Sequence, residues 1–240
     1  MEPLLILLLL SWTNNWDNGE ERTLEFGDRD PFDQAVEFTG IGEAEITGDG
    51  YLILSGDAPR FRVVDHKFEN VNVTFSAKRI DEEQQLSYQG FTVGARSQHY
   101  TDDPCLANTY YARLTYDGRI SFEKELFHSE GTVAQYPPLE TPKYLPGLED
   151  GEGVPENRWF DISFIVKTVD NGTSVLLQLY VDHAKVLEYK DTGDWPVDAP
   201  EGICDEYPHN KVILSPGFTF IRNDGLGEAQ YRGFTIHEIQ

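Results

Sequence analysis

The chain has 240 residues and a formal net charge of −23 at pH 7, because it carries 42 acidic residues and only 19 basic ones. A surface this acidic repels phosphate backbones and anionic lipids, so we expect no nucleic-acid partner and no stable membrane insertion. Hydrophobic residues make up 39% of the chain and aromatic residues 12%, which is enough for a core and excludes global disorder. The two cysteines, Cys105 and Cys204, are too few for a four-cysteine zinc site.

The amino terminus holds one membrane-like stretch, the apolar run Leu4–Leu10. This run is too short to span a bilayer and is typical of the centre of a secretory signal, with Ser11 and Thr13 as small residues before a cleavage point. Glu2 departs from the pattern, since no basic residue precedes the run. A buried terminal strand is the alternative, but we expect a secreted protein.

Export has two structural consequences. Residues 1–18 are expected to be a signal or a disordered segment, and residues 19–240 to be one domain. Outside the cell, Cys105 and Cys204 are expected to form a disulfide that joins two long loops and braces the rim of a ligand groove. Two unrelated buried thiols are the alternative.

Short runs rich in β-branched and aromatic residues alternate with Gly, Asp, Asn and Pro along the chain, and helical periodicity is nearly absent. Twelve strands are predicted in chain order, at residues 44–46, 51–55, 61–64, 71–79, 90–98, 109–116, 119–127, 159–168, 174–181, 185–189, 212–222 and 230–238. A dozen strands in one domain predict an all-β fold with two stacked antiparallel sheets, or a barrel.

The strands predicted at 109–116 and 119–127 form a hairpin in this interpretation. A three-residue loop with Gly118 in the left-handed region pairs Leu114 with Ile120 and keeps apolar residues on one face, whereas a two-residue turn would mix the faces. The polar face then carries Tyr111, Arg113, Thr115, Ser121, Glu123 and Glu125. Lys124 falls on the core side.

Two irregular stretches separate the later strands, at residues 129–158 and 193–210. Long loops in compact domains are commonly functional, and the first is placed to arch over a binding face. Three aromatic side chains on these loops are candidates for stacking on sugar rings or for closing an end of the sandwich: Tyr136, Trp195 and Tyr207.

The carboxy-terminal part of the chain carries a recognisable strand pattern. Residues 159–167 read WFDISFIVK, residues 175–182 read VLLQLYVD, and the chain ends with FIRND at 220–224 and YRGFTIHEI at 231–239. These segments resemble the strands of the concanavalin A-like (laminin-G-like) jelly rolls. The resemblance implies an antiparallel β-sandwich, and the superfamily includes lectins, carbohydrate-binding modules, glycoside hydrolases and polysaccharide lyases, whose ligands usually lie on the concave sheet.

Chemistry-bearing residues are densest between residues 96 and 128. Arg96 and Arg113 are predicted on neighbouring strands of one exposed concave face, with room for a ligand above Gly94, and paired guanidinium groups bind carboxylates such as those of a uronate polysaccharide. Elimination from a uronate also needs a base for the C5 proton and an acid for the leaving oxygen, and Tyr and His are suitable. The candidate catalytic residues are Arg96, His99, Tyr111, Arg113, Glu123, Lys124, Glu125 and His128.

Other interpretations of the same residues remain open. The arginines of this face are equally suited to pair with Glu123 and Glu125 on a solvated surface. Glu123 and Glu125, two residues apart on a strand, are also a candidate pair for a retaining glycoside hydrolase. A glycan-binding or adhesion module without catalysis is the third possibility. Carboxylates at Asp102-Asp103, Asp182 and Asp205-Glu206 are candidate ligands for a structural calcium ion.

Overall fold

The computed structural model describes residues 21–24, 36–56, 58–80, 89–99, 103–128, 133–148, 152–197, 202, 204–225 and 227–239. The expected signal segment, residues 1–18, lies outside this part of the chain. Within the described residues, no helix has the length and apolarity needed to cross a membrane.

The described residues form sixteen β-strands and two single-turn 3-10 helices, Pro104–Leu106 and Asp170–Gly172. The strands are β1 (Glu21–Leu24), β2 (Val36–Thr39), β3 (Glu43–Ile46), β4 (Leu52–Ser55), β5 (Arg60–Phe68), β6 (Val71–Arg79), β7 (Gly90–Ser97), β8 (Thr109–Thr115), β9 (Arg119–Glu125), β10 (Val133–Tyr136), β11 (Lys143–Tyr144), β12 (Phe160–Val169), β13 (Ser174–Val181), β14 (Ala184–Asp191), β15 (Gly217–Asp224) and β16 (Glu228–Glu238).

Two antiparallel sheets of eight strands stack face to face. The first sheet has the order β14-β13-β12-β6-β16-β4-β3, with β1 also paired to β16. The second has the order β10-β9-β8-β7-β15-β5-β2, with β11 also paired to β9. The predicted all-β, two-sheet antiparallel sandwich is therefore confirmed.

The core lies between the sheets and follows the alternation of the strands. In β6 every second residue, from Val71 to Ala77, is buried, and the same holds for Phe160 to Val166 in the neighbouring β12. Residues from both sheets belong to one continuous apolar cluster. An alternating strand needs a second apolar face to cover it, and each sheet supplies that face to the other.

All twelve predicted strands overlap a strand of the structure, with two notable differences in length. The strand predicted at 61–64 extends to nine residues as β5, and the one predicted at 212–222 begins only at Gly217. The segment predicted as a loop at 129–158 contains β10 and β11, which hydrogen-bond to β9 at the edge of the second sheet. These two strands extend the sheet sideways, so the prediction that they arch over a binding face is wrong.

The hairpin of β8 and β9 has the predicted register. Leu114 pairs with Ile120, and Gly118 lies in the left-handed region with a φ of 85°. That conformation is strained for a residue with a side chain and free of strain for glycine. The three-residue interpretation of the turn is thus confirmed, and with it the two faces of the hairpin.

The disulfide between Cys105 and Cys204 is present, with the two Cα atoms 5.5 Å apart. It joins the 3-10 helix Pro104–Leu106, which follows β7, to the long segment between β14 and β15. The predicted pairing is confirmed.

Candidate functional site

The outer face of the second sheet, which we call the polar face, is crowded with charged and aromatic side chains. Four of its strands contribute alternate residues, which point away from the core. They are Arg60 and Arg62 of β5, Tyr111 and Arg113 of β8, Glu123 and Glu125 of β9, and Phe220, Arg222 and Asp224 of β15.

Ion pairs neutralise the middle of the polar face. Arg113 lies 2.7 Å from an oxygen of Glu123 and 3.2 Å from an oxygen of Asp224. Arg222 donates to the same Asp224 carboxylate over 2.9 Å. Burial alone would lower the pKa of Arg113, but Glu123 and Asp224 raise it above its ordinary value. Arg113 is thus held by protein carboxylates, as the ion-pair interpretation of this face expected.

The polar face is also less open than predicted. Tyr111 is 3% exposed, Glu123 8% and Glu125 6%. The space predicted above Gly94 is filled by the ring of Phe220, since a Cβ on this glycine would lie 2.2 Å from ring carbons. Gly94 therefore makes room for Phe220, and the prediction of ligand space at this point is wrong.

A compact cluster of His99, Tyr111, Glu125 and His128 lies at one end of the polar face. His99 Nε2 is 2.9 Å from Glu125 Oε2, and His128 Nδ1 is 3.1 Å from Glu125 Oε1. Tyr111 donates its hydroxyl hydrogen to Glu125 Oε2, and its oxygen lies 3.3 Å from His99 Nε2. The sequence predicted these residues on one face, and the structure brings them into direct contact.

Local structure explains why these four side chains meet. Tyr111 and Glu125 lie diagonally across the β8–β9 ladder, because Tyr111 pairs with Glu123 and Thr109 pairs with Glu125. His99 follows the end of β7, and His128 follows the end of β9. The backbone N–H of His128 donates to the carbonyl of Pro104 over 2.8 Å, which fixes the position of its loop.

The charge states in the cluster differ strongly. Burial would raise the pKa of Glu125, but hydrogen bonds from His128 and His99 lower it to about 2. Burial lowers the pKa of His99, whereas the hydrogen bond to Glu125 raises that of His128. Burial places the pKa of Tyr111 well above its ordinary value, helped by the Glu125 charge. The cluster therefore holds an ionised carboxylate between two imidazoles and a neutral phenol.

Beside this cluster lies a pocket of about 260 Å³. Its lining is cationic and polar: Thr39, Gly40, Arg60, Arg62, His99, Pro104, Ala107 and His128. Arg60 is the notable member, because its buried Nε has no hydrogen-bond partner and the described residues offer its guanidinium no ion pair. Its guanidinium carbon lies 5.4 Å from the ring centre of Phe220. Burial and the nearby charge of Arg222 lower the pKa of Arg60.

Four charged residues of the polar face were not predicted from the sequence: Arg60, Arg62, Arg222 and Asp224. The sequence does contain a pattern that predicts them. In R-F-R of β5 and in R-N-D of β15, charged residues stand on either side of a buried residue. In the sheet, β15 lies between β5 and β7, and these pairings join segments far apart in the chain, which the local sequence does not reveal.

The predicted position of Arg96 on the polar face is wrong. Its φ is 54°, at a point where the register between β7 and β15 shifts, so its side chain leaves the alternation and turns inward. It is fully buried and donates to the carbonyls of Glu69 and Ile213, each over 2.7 Å, and to Thr168 of the first sheet over 2.7 Å. Arg96 therefore ties loops and sheets together and does not approach the pocket.

Lys124 also lies away from the polar face, on the core side that alternation predicts. Its ammonium group is fully buried, 2.8 Å from Asp191 and 3.1 Å from the carbonyl of Trp195. A group enclosed between the sheets cannot contact a ligand on the outer face, so its inclusion among the candidate catalytic residues is wrong.

The three candidate sugar-stacking aromatics pack against the protein. Trp195 is 7% exposed, and the ring of Tyr189 lies 4.8 Å from it and 4.3 Å from Tyr136. Tyr207 is partly buried against the core. These rings close the sandwich, which was the alternative interpretation.

The candidate calcium ligands make protein contacts. Asp182 pairs with Arg158 over 2.7 Å, Asp103 accepts from the N–H of Cys105, and Asp205 accepts from the N–H of Gly202. Asp102 lies outside the described residues. Within the described part of the chain, the group of three metal-ligating side chains that comes together is His99, Glu125 and His128.

Known structures with the same architecture are jelly rolls of the concanavalin A-like type. A Bacillus subtilis protein of unknown function with a galectin-like fold has a TM-score of 0.55 and 16% identity, over 92% of this chain and 98% of that one. The carbohydrate-binding module CBM66 from Bacillus subtilis has a TM-score of 0.54 and 13% identity, over 85% and 96%. The β-glucanase of Bacillus licheniformis has a TM-score of 0.52 and 10% identity, over 94% and 100%.

These likenesses confirm the concanavalin A-like fold. No protein-family model matches the chain, and no curated protein matches it in sequence. Since this fold carries both binding modules and enzymes, function has to be argued from the polar face.

Proposed function

We propose that this protein is a secreted carbohydrate-active protein that binds a uronate-containing polysaccharide at the pocket beside Arg60 and cleaves it by β-elimination. The observation that carries the proposal is the guanidinium of Arg60, which faces this pocket without a hydrogen bond or ion pair within the described residues. A partly buried guanidinium whose buried Nε makes no hydrogen bond is costly, and an anionic ligand relieves that cost. Two further arginines of the polar face, Arg113 and Arg222, already hold carboxylates of the protein.

A uronate is the anion that suits this pocket best. Its carboxylate is planar and accepts the two parallel hydrogen bonds that a guanidinium offers. Arg62, His99 and His128 line the same pocket and extend the positive or donor-rich surface around Arg60. Similar folds in a carbohydrate-binding module and a β-glucanase support a sugar as the rest of the ligand.

The pocket provides the groups that β-elimination requires, a cation for the carboxylate and a group for proton transfer. The proton leaves C5 of the uronate, the bond from C4 to the glycosidic oxygen breaks, a double bond forms between C4 and C5, and the leaving oxygen gains a proton. Arg60 would neutralise the carboxylate and so acidify C5. The imidazole of His128 is 60% exposed and bonded to Glu125, which makes it the accessible group to take the proton from C5 and to return a proton to the leaving oxygen. Tyr111 is too buried to reach a substrate and positions Glu125.

The hydrolase alternative fits these contacts less well. Glu123 is committed to Arg113, and Glu125 is held by two histidines and a tyrosine with its pKa lowered to about 2. A glycosidase needs one carboxylic acid with a raised pKa to protonate the leaving oxygen. The binding-module alternative keeps the role of Arg60 and dispenses with cleavage.

The test is a panel of uronate polysaccharides in which ultraviolet absorbance follows the appearance of unsaturated products. We expect the wild type to generate them, Arg60→Ala to lose both binding and cleavage, and His128→Ala to lose turnover more than binding. Arg158→Ala, at an exposed ion pair far from the pocket residues in sequence, is the matched control.

Each alternative has its own outcome in this assay. Cleavage without a double bond would favour the hydrolase, and Glu125→Gln would then abolish it. Binding without any cleavage would leave the binding module. If Arg60→Ala retains wild-type binding, the ligand site lies elsewhere and the proposal is overturned.

A further inference from the structure

The cluster at the end of the polar face has the composition of a metal centre. His99, Glu125 and His128 each present a ligand atom, and these three atoms lie within 4.8 Å of one another. A tetrahedral ion with bonds of roughly 2.0–2.2 Å keeps its ligand atoms about 3.3–3.6 Å apart. The distances of 2.9 Å and 3.1 Å, which join the two histidines to different oxygens of Glu125, would grow by a few tenths of an ångström. The widest separation among the three ligand atoms, up to 4.8 Å, would have to shrink by about 1 Å, which rotation of the exposed His128 side chain can provide.

We propose that His99, Glu125 and His128 bind one divalent transition-metal ion, with Zn²⁺ as the best-suited ion. Two imidazoles and one carboxylate are typical ligands of zinc and of other first-row transition metals, whereas calcium and magnesium take oxygen ligands. Three protein ligands leave at least one position open, which is the arrangement of a catalytic rather than a structural site.

The surroundings hold the three side chains in place before any ion arrives. The hydroxyl of Tyr111 donates to Glu125 Oε2, and a hydrogen bond of this kind orients a ligating carboxylate. The loop of His128 is tied to Pro104, whose neighbour Cys105 forms the disulfide. Pre-positioned ligands lower the entropy cost of binding an ion.

The open position is expected to face the pocket. His99 and His128 both line that pocket, and the His128 side chain is 60% exposed. Arg60 and Arg222 place positive charge near the cluster, which opposes a bare cation. An anionic ligand in the open position offsets this repulsion, and a carboxylate can lie between the ion and Arg60.

The placement of a substrate carboxylate between the ion and Arg60 rests on the proposed function, whereas metal binding itself does not. With an ion bound, the ligating nitrogen of His128 would no longer be free to take a proton, so the C5 proton would pass to a water or hydroxide held by the ion in place of His128. Zinc titration without glycan therefore tests the metal site independently of glycan cleavage.

The test uses the full-length, untagged protein after removal of metals by a chelator. Titration with Zn²⁺ against a chromophoric chelator, without glycan, is expected to show one tight site in the wild type. His128→Ala and Glu125→Gln are each expected to weaken it by more than about 100-fold, and Tyr111→Phe by about 10-fold. His183→Ala, which removes an exposed histidine next to Asp161, is the control and is expected to bind as the wild type does.

The zinc titration and the elimination assay test the metal proposal and the proposed function separately. Absence of a tight zinc site in the wild type, or equal zinc affinity in His128→Ala, would overturn the metal proposal and leave the elimination assay standing. Because His128 is exposed, its variant is expected to fold, and a denaturant titration checks this. Tight zinc binding without cleavage of any uronate would keep the metal site and overturn the proposed function.

Discussion

Asp224 is the residue that balances the middle of the polar face. It accepts hydrogen bonds from Arg222 and Thr92 and forms an ion pair with Arg113. Burial would raise the pKa of its carboxyl group, but the charges of Arg222 and Arg113 lower it below the ordinary value. A carboxyl whose pKa is lowered on folding contributes stability above its unfolded pKa, and that stability is lost as the pH falls through the folded value.

The prediction concerns Asp224→Asn. At pH 7 the substitution is expected to lower the free energy of unfolding by about 2–4 kcal/mol, because two largely buried arginines each lose a charged partner. The difference from the wild type should begin to shrink as the pH falls below the unfolded pKa of about 3.8, where the unfolded chain gains the proton first, and it should be lost as the pH passes through the lowered folded pKa. Urea titrations at pH 7 and pH 3 measure both values, and a difference independent of pH would contradict this role.

Gly94 makes a prediction about packing. A Cβ at this position would lie 2.2 Å from ring carbons of Phe220, inside the van der Waals limit, so Gly94→Ala has to displace the ring. We expect it to lower the free energy of unfolding by about 1–3 kcal/mol. Gly48→Ala is the control, since nothing lies within 4 Å of a Cβ there. Equal stabilities of the two variants would show that Phe220 does not lie over Gly94.

At the residue scale, alternation along β8 and β9 is enough to predict the shared face of Tyr111, Arg113, Glu123 and Glu125. It fails at Arg96, because this residue lies in the left-handed region at a register shift, which turns its side chain out of the alternation. It also fails to find Arg60, since the neighbours of this arginine come from strands far away in sequence. The alternation of a strand predicts the direction of a side chain, but it does not predict which residues of other strands that side chain contacts.

Between elements, a buried ion pair connects the two sheets. Lys124 of β9 and Asp191 of β14 are both fully buried and 2.8 Å apart, and Tyr110 donates to the same carboxylate over 2.6 Å. The pair therefore joins β9 of the second sheet to β14 of the first.

Removing one partner leaves a buried charge without compensation. Lys124→Met is therefore expected to lower the free energy of unfolding by about 3–5 kcal/mol. Adding Asp191→Leu should recover part of that loss, because no isolated charge remains. Lys185→Met, at the exposed pair with Glu188, is the control and should change stability little. Additive losses in the double variant, measured by denaturant titration, would contradict the coupling.

A comparison of the predicted and observed strands shows which strands the sequence can predict. Strands with strict alternation, such as β6 and β13, are predicted at the residues where the structure has them. The four strands that were not predicted, β1, β2, β10 and β11, have four residues or fewer. Strands this short complete the edges by pairing with β16, β5 and β9, and their own sequences carry too few residues for a period to be visible.

For the whole molecule, the disulfide is the strongest constraint on the unfolded chain. It closes a loop between residues separated by 99 positions, so the chain-entropy model assigns it about 4–5 kcal/mol. The variant Cys105→Ala/Cys204→Ala is expected to unfold at markedly lower urea concentration, and thiol titration of the unreduced, denatured wild type should find no free thiol. Two free thiols, or an unchanged urea midpoint in the variant, would contradict this account and weaken the argument for export.

The overall charge of −23 opposes an acidic ligand, but in salt this repulsion acts only over short distances. At physiological ionic strength, exposed charges farther than about 8 Å from a ligand are largely screened. Arg60 and Arg62, in contrast, line the pocket itself. Local contacts therefore outweigh the distant surface, and the fold presents a cationic pocket within an acidic molecule.

The most direct test of this claim is calorimetric binding of a uronate oligosaccharide and of the same oligosaccharide with its carboxyl groups reduced to alcohols. We predict that the wild type binds the uronate and that Arg60→Ala weakens this binding by about 10- to 100-fold, as expected for a lost charge-assisted hydrogen bond. The reduced oligosaccharide should bind weakly to both proteins, and Arg158→Ala should match the wild type. Equal affinity of the wild type for the two sugars, or uronate binding that survives Arg60→Ala unchanged, would contradict the assignment of this pocket.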